Sequence, residues 1–219
     1  MTSDIAFLDP AVAKYLSDRT TAPTELEQRL IDETQSMEFA QMQIGFPQAR
    51  FMALLARILR PTTVVEVGVF TGYSALVVAQ ELSVDATFIA CDISEEWTAV
   101  GQPYWKEAGV ADRIDLRIAP AADSLAALPG DTKVDMAFID ADKTGYLGYL
   151  NQLIPLMHEH SVVLVDNVLW DGHIVDDADQ SADTVALRLF NDSMLADERV
   201  DVALLPIGDG LSMITLARS

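Results

Sequence analysis

Two apolar runs in this chain end in oxygen-bearing side chains. MAFIDADK stops in Asp140, Asp142 and Lys143, and VVLVDNVLW stops in Asp166 and Asn167. If both runs are strands of one parallel sheet, their carboxyl ends share an edge, and Asp140, Asp166 and Asn167 converge there. Two carboxylates and an amide carbonyl form an oxygen-only donor set suited to Mg²⁺, Ca²⁺ or Mn²⁺, with coordination positions left for substrate oxygens. Zinc is disfavoured, because no histidine or cysteine accompanies them. Acids at the tips of two buried strands also repel each other, which a cation would relieve. Lys143, three residues beyond Asp140, is within reach of a phenol chelated at such a cation and is the candidate general base. A surface pair of Lys143 with Asp142 is the plainer alternative.

A second group lies upstream. In VVEVGVFTGYS an apolar run leads into Glu66, Gly68, Gly72 and Ser74, and a helix is expected from about Ser74. Gly68 would let the backbone approach a ligand, and Gly72 would permit a tight turn. The spacing is not the G-x-G-x-x-G that seats a pyrophosphate on a helix N-terminus, which argues against a dinucleotide-dependent dehydrogenase. Glu66 would repel phosphate but suits a cationic ligand such as a sulfonium amino acid. Asp92 closes the next apolar run, where an acid accepts the hydroxyls of a ribose; capping of the following helix is its plainer role.

These positions require a particular scaffold. β-rich runs are expected at Thr63–Val67, Thr87–Asp92, Ile114–Ile118, Val134–Asp140, Val162–Asp166, Val200–Leu205 and Leu211–Leu216. The first five are separated by helix-length stretches, which implies parallel strands with crossover connections. The last two are joined only by PIGDG, too short for a crossover, so an antiparallel hairpin is expected there. Before Thr62 the apolar spacing is helical, at Ala11–Leu16, at Leu26, Leu30 and Thr34, and at Phe51, Leu54, Leu55 and Ile58.

With 219 residues and no internal repeat or linker, one domain is expected over 1–219, made of a helical cap segment at 1–60 and a core at 61–219. A formal charge of −20 disfavours nucleic acid and anionic lipid as partners. The single cysteine, Cys91, and a start MTSDIAFLDP without signal-peptide character point to a cytoplasmic protein.

Taken in order, VVEVGVFTGYS, FIDADK, DNVLWDG and PIGDG closely resemble the motifs of the cation-dependent class I O-methyltransferases, the group containing caffeoyl-CoA and catechol O-methyltransferases. The resemblance runs from about Gln41 to the C-terminus. It implies an α/β, Rossmann-like fold with a seven-stranded, mostly parallel sheet, an antiparallel last strand and helices on both faces. It further implies S-adenosylmethionine as methyl donor, with Glu66, Gly68 and Ser74 on its methionine part, Asp92 on the ribose, Ala121 at the adenine edge and Asp142 as a further contact. Asp140, Asp166 and Asn167 match the metal ligands and Lys143 the base, while Tyr149 and Trp170 fall where plant-type members touch substrate. A homodimer is also implied.

The chain departs from the plant pattern in having Ala119 where a glycine follows the third strand, and in QMQIGFPQARFM, where acceptor choice is often made. The expected acceptor is a small catechol-like phenol such as caffeate or a flavonoid. The alternative is a caffeoyl-CoA-type thioester, whose negative charges would need a basic patch drawn from Lys14, Arg19 or Arg50. A non-catalytic binding protein on the same fold is a further alternative. His173 is expected to be a solvated loop residue.

Overall fold

The computed structural model describes residues 8–218, so most of the start read as leaderless lies outside the described residues. Three helices come first: α1 (Pro10–Arg19), α2 (Glu25–Gln35) and α3 (Phe46–Leu59). Pro10 follows the Asp9 cap, a position where the missing N–H costs nothing. Thr24 and Glu27 cap α2 reciprocally. The α3 helix ends at Arg60 in a left-handed conformation, one residue before Pro61.

Strands then alternate with helices: β1 (Thr63–Val67), α4 (Tyr73–Ala79), β2 (Thr87–Asp92), α5 (Glu95–Glu107), β3 (Ile114–Ile118), α6 (Ala121–Ala126), β4 (Met136–Ile139), α7 (Tyr146–Leu153) and β5 (Val162–Val165). Helix α8 (Ala182–Ala196) precedes the closing hairpin of β6 (Val200–Leu205) and β7 (Leu211–Leu216). The seven strands are ordered β3-β2-β1-β4-β5-β7-β6. β1 to β5 pair parallel, whereas β7 runs antiparallel to both β5 and β6. The expected antiparallel last strand is therefore present, inserted between β5 and β6.

Burial on both faces explains the nearly continuous apolar runs of β1, β4 and β5. Val65 and Val67 of β1 join Tyr146, Leu150, Leu187 and Phe190 on one face. Val64 joins Met52, Leu76 and Trp105 on the other. The strict alternation along β1 sends Glu66 to the same face as Val64, towards α4.

Strands β4 and β5 are shorter than expected, because they end at Ile139 and Val165. Asp140 and Asp166 stand just past the ladder, where side chains turn from the sheet to the edge. The basic patch that the thioester alternative would need finds little support in Arg50 or Lys14. Arg50 is not part of an open basic patch: its side chain is 15% exposed and its guanidinium binds Glu27 at 2.9 Å and the Ala22 carbonyl at 3.3 Å. A buried carboxylate demands such a partner, so the arginine is used inside the fold. Lys14 is exposed but paired with Asp18 at 2.7 Å. Among the described residues no helix is long and apolar enough to cross a membrane.

Candidate active site

The loop after β1 is folded by Asp92. Its Oδ2 accepts the backbone N–H of Val69 at 2.8 Å and of Phe70 at 2.9 Å, and its Oδ1 accepts that of Ser94 at 2.8 Å. A carboxylate has about four acceptor positions, so Oδ1 keeps one for a ligand. Asp92 thus does the capping work of the plainer reading and still has an oxygen to offer. Gly68 (φ +90°) and Gly72 (φ +77°) hold conformations that side chains avoid. A Cβ on Gly72 would lie 2.4 Å from the Trp105 ring, whose Nε1 donates to the Gly72 carbonyl at 3.0 Å.

Glu66 is completely buried, and its Oε1 accepts a short hydrogen bond from the Ser74 hydroxyl. Its Oε2 is buried with no partner. Loss of water pushes the carboxyl up to about 8, against the lowering effect of Ser74, with Asp140 and Asp92 adding repulsion. An orphaned acidic oxygen near two further carboxylates, Asp140 and Asp92, is a place where a positively charged ligand group is favoured and a phosphate is not. Ala121 begins α6 and is buried at 9% exposure.

At the neighbouring strand tips Lys143 occupies the centre. Its Nζ donates to Asp140 Oδ1 at 3.1 Å, to Asn167 Oδ1 at 2.6 Å and to the Tyr146 hydroxyl at 2.7 Å. Its partner is therefore Asp140, not the Asp142 of the plainer reading. Asp166 is 2% exposed, and burial followed by repulsion from Asp140 pushes its carboxyl up to about 7. Asp166 Oδ1 accepts the Asn167 backbone N–H at 2.8 Å. Its Oδ2 accepts from the Gln48 side-chain amide at 2.7 Å.

Among the described residues no three His, Cys, Asp or Glu side chains make a metal centre by themselves. The oxygen donors gathered at these strand tips are the carboxylates of Asp140 and Asp166 and the amide oxygen of Asn167, a set whose chemistry would suit a divalent cation. Three features support the fit: hard oxygen donors only, mutual repulsion of the two acids, and a lysine cation already drawn to two of the three. Asn167 holds φ +58°, a conformation asparagine tolerates better than most residues.

The two expected aromatic contacts differ. Trp170 lies beside the centre, with Lys143 Nζ 5.5 Å from its ring centroid. Tyr149 is buried, and its hydroxyl donates to Asp142 Oδ1, so it braces that acid. Thr144 bonds the other Asp142 oxygen at 3.2 Å. His173 is exposed, as expected, but it stands in a 3-10 helical segment (Trp170–Val175) rather than a loop, and it is paired with Asp179 at 2.9 Å. The PIGDG turn holds the residues on either side of Trp170, since Asp209 Oδ1 accepts the Asp171 N–H and a Cβ on Gly210 would press on Leu169.

Sequence reasoning missed Tyr146 and Gln48. Tyr146 was discoverable as an aromatic three residues beyond Lys143, on the same side of a helical turn. For Gln48 the only local signal is a polar residue on the stripe of α3 that also carries Met52 and Ala56.

Comparison with known proteins bears on this geometry. The family profile described as O-methyltransferase matches residues 17–218. Caffeoyl-CoA O-methyltransferase of Eucalyptus gunnii is 34% identical over 215 residues, covering 93% of this chain and 86% of the plant protein. Catechol O-methyltransferase domain-containing protein 1 of Mus musculus is 36% identical over 169 residues, covering 76% of this chain and 64% of the mouse protein. The crystal structure of the SAH-bound Podospora anserina methyltransferase PaMTH1 superposes with a TM-score of 0.86 at 27% identity, covering 95% of this chain and 94% of that one.

Proposed function

Since the chain belongs to the O-methyltransferase family, we propose that it moves the methyl group of S-adenosylmethionine to one of two adjacent hydroxyls of a small catechol-like phenol, with a divalent cation at the β4 and β5 tips. The observation that carries the reading is the meeting of Lys143, Asp140 and Asn167 within hydrogen-bond reach, one strand away from the orphaned oxygen of Glu66.

The methyl donor is assigned to the β1 and β2 edge. Glu66 and Ser74 face its cationic methionine part, and Gly68 lets the backbone approach it. The free acceptor position of Asp92 takes a ribose hydroxyl, Ala121 borders the adenine, and Asp142 gives a further contact. Asp140, Asp166 and Asn167 would hold the cation, Mg²⁺ by preference with Ca²⁺ or Mn²⁺ as substitutes, which when bound supplies Lewis acidity that lowers the pKa of the acceptor phenol. With a cation at Asp140 and Asn167 in place of two of the N–H donors of Lys143, and one ammonium proton released to solvent, the neutral amine of Lys143 takes the phenolic proton. The phenolate oxygen then forms the new O–C bond as the S–C bond breaks, and the electron pair of that bond stays on sulfur as the neutral thioether. Trp170 flanks the acceptor, and Tyr146 steadies the amine of Lys143.

A free phenol is favoured over a coenzyme A thioester. Of the three basic residues named for the thioester phosphates, Arg50 is buried against Glu27 and Lys14 is paired with Asp18, which leaves Arg19, exposed at the end of α1. The test is initial rates with caffeate, its coenzyme A ester and a monophenol of the same skeleton. Caffeate should turn over fastest and the monophenol by at least about 10²-fold more slowly, because one hydroxyl cannot be held at two points. A monophenol methylated as fast as caffeate would refute the two-oxygen reading.

A further inference from the structure

Gln48 lies 118 positions from Asp166 in sequence, yet its Nε2 donates to Asp166 Oδ2 at 2.7 Å in a buried contact. The side chain is 3% exposed and sits in the first turn of α3, a helix whose Ala49, Met52, Ala53 and Ala56 are packed into the core. A buried amide costs free energy unless it is bonded, and a leucine would fill that space without such a demand. The β6–β7 turn also comes close: a Cβ on Gly208 would lie 2.2 Å from Gln48 Oε1. The amide is thereby held between α3 and the PIGDG turn with its donor aimed at one carboxylate oxygen.

The two oxygens of Asp166 are thus oriented by two fixed donors, Gln48 Nε2 on Oδ2 and the Asn167 N–H on Oδ1. Each oxygen keeps a further acceptor position, and Asp140 and Lys143 are near enough to act on the carboxylate electrostatically. We propose that Gln48 is a positioning residue for the cation site, through which the helical segment before β1 sets the direction in which Asp166 presents its oxygens. The inference rests on the cation reading of the preceding section. Groups that orient a metal-binding carboxylate commonly govern affinity by 10- to 100-fold when removed.

The test is Mn²⁺ binding to the full-length, cofactor-free protein, followed by the electron paramagnetic resonance signal of free Mn²⁺. Gln48→Leu should weaken Mn²⁺ binding by about 10- to 100-fold while S-adenosylhomocysteine affinity stays within about threefold. Gly208→Ala, which pushes on the amide without altering α3, should weaken Mn²⁺ binding in the same direction, and it decides the matter if Gln48→Leu does not fold. Wild-type Mn²⁺ affinity in either variant that folds overturns the role of Gln48. No Mn²⁺ binding by the wild-type protein instead overturns the cation site itself, and this inference with it.

Discussion

Lys143→Ala is expected to lower kcat by about 10²- to 10⁴-fold, the range associated with loss of a placed general base, while the KM for the methyl donor changes by no more than about threefold. The split follows from geometry. Lys143 Nζ contacts Asp140, Asn167 and Tyr146, all on the β4 and β5 side of the site, and none of the β1 loop residues. The loss should shrink as the pH is raised towards the pKa of the phenol, because solvent then supplies the phenolate that Lys143 no longer generates. Steady-state rates across pH check both points. A parallel loss of donor affinity would make Lys143 a structural ion for the whole pocket, and a kcat within about threefold of wild type would remove it from the chemistry.

The second large effect falls on Gly68. A Cβ there would stand 1.9 Å from the Asp140 carbonyl oxygen and 2.7 Å from its carbon, both backbone atoms that cannot swing aside. The φ of +90° adds strain for any residue with a side chain. Gly68→Ala should therefore cost about 1–3 kcal/mol from overpacking alone, with positive-φ strain of about 1–2 kcal/mol on top. Because Gly68 also donates to the Cys91 carbonyl at 2.9 Å, the displacement spreads to β2 and to Asp92. Thermal melting should show a lower Tm and little stabilisation by S-adenosylhomocysteine. Gly148→Ala in α7 is the control: nothing lies within 4 Å of that Cβ, and alanine in a helix interior should raise stability by about 0.5–1 kcal/mol. Equal melting curves for the two variants would mean that the β1 loop yields more easily than its contacts indicate.

What the chain reveals before folding follows from the range of the forces involved. Strand positions were legible because burial on both faces forces runs such as VVLV and MAFI, and the acids that end them mark the sheet edge. The hairpin was legible because PIGDG leaves no room for a crossover, although its insertion between β5 and β6 depends on packing that no local pattern encodes. At the site, Asp140, Lys143, Asp166 and Asn167 could be grouped through the parallel-edge rule alone. Gln48 could not, since its partner is more than a hundred residues away and an amide has no strong preference of its own. The place of Arg50, named as one possible member of a basic patch, was hidden for a related reason. Charge suggests a surface position, and only the three-dimensional structure shows Glu27 buried beside it. The motif marked Tyr149 as a substrate contact, but it gave no sign that its hydroxyl would donate to Asp142.

The central claim is that oxygen donors from two strand tips hold a cation that in turn holds the acceptor. Its most direct test is transfer of a labelled methyl group from S-adenosylmethionine to caffeate, using protein stripped with chelator and then titrated with Mg²⁺. Near-zero transfer is expected after stripping, with recovery that saturates with added Mg²⁺ and no recovery in Asp166→Ala. Undiminished transfer by the stripped enzyme in excess chelator would contradict it.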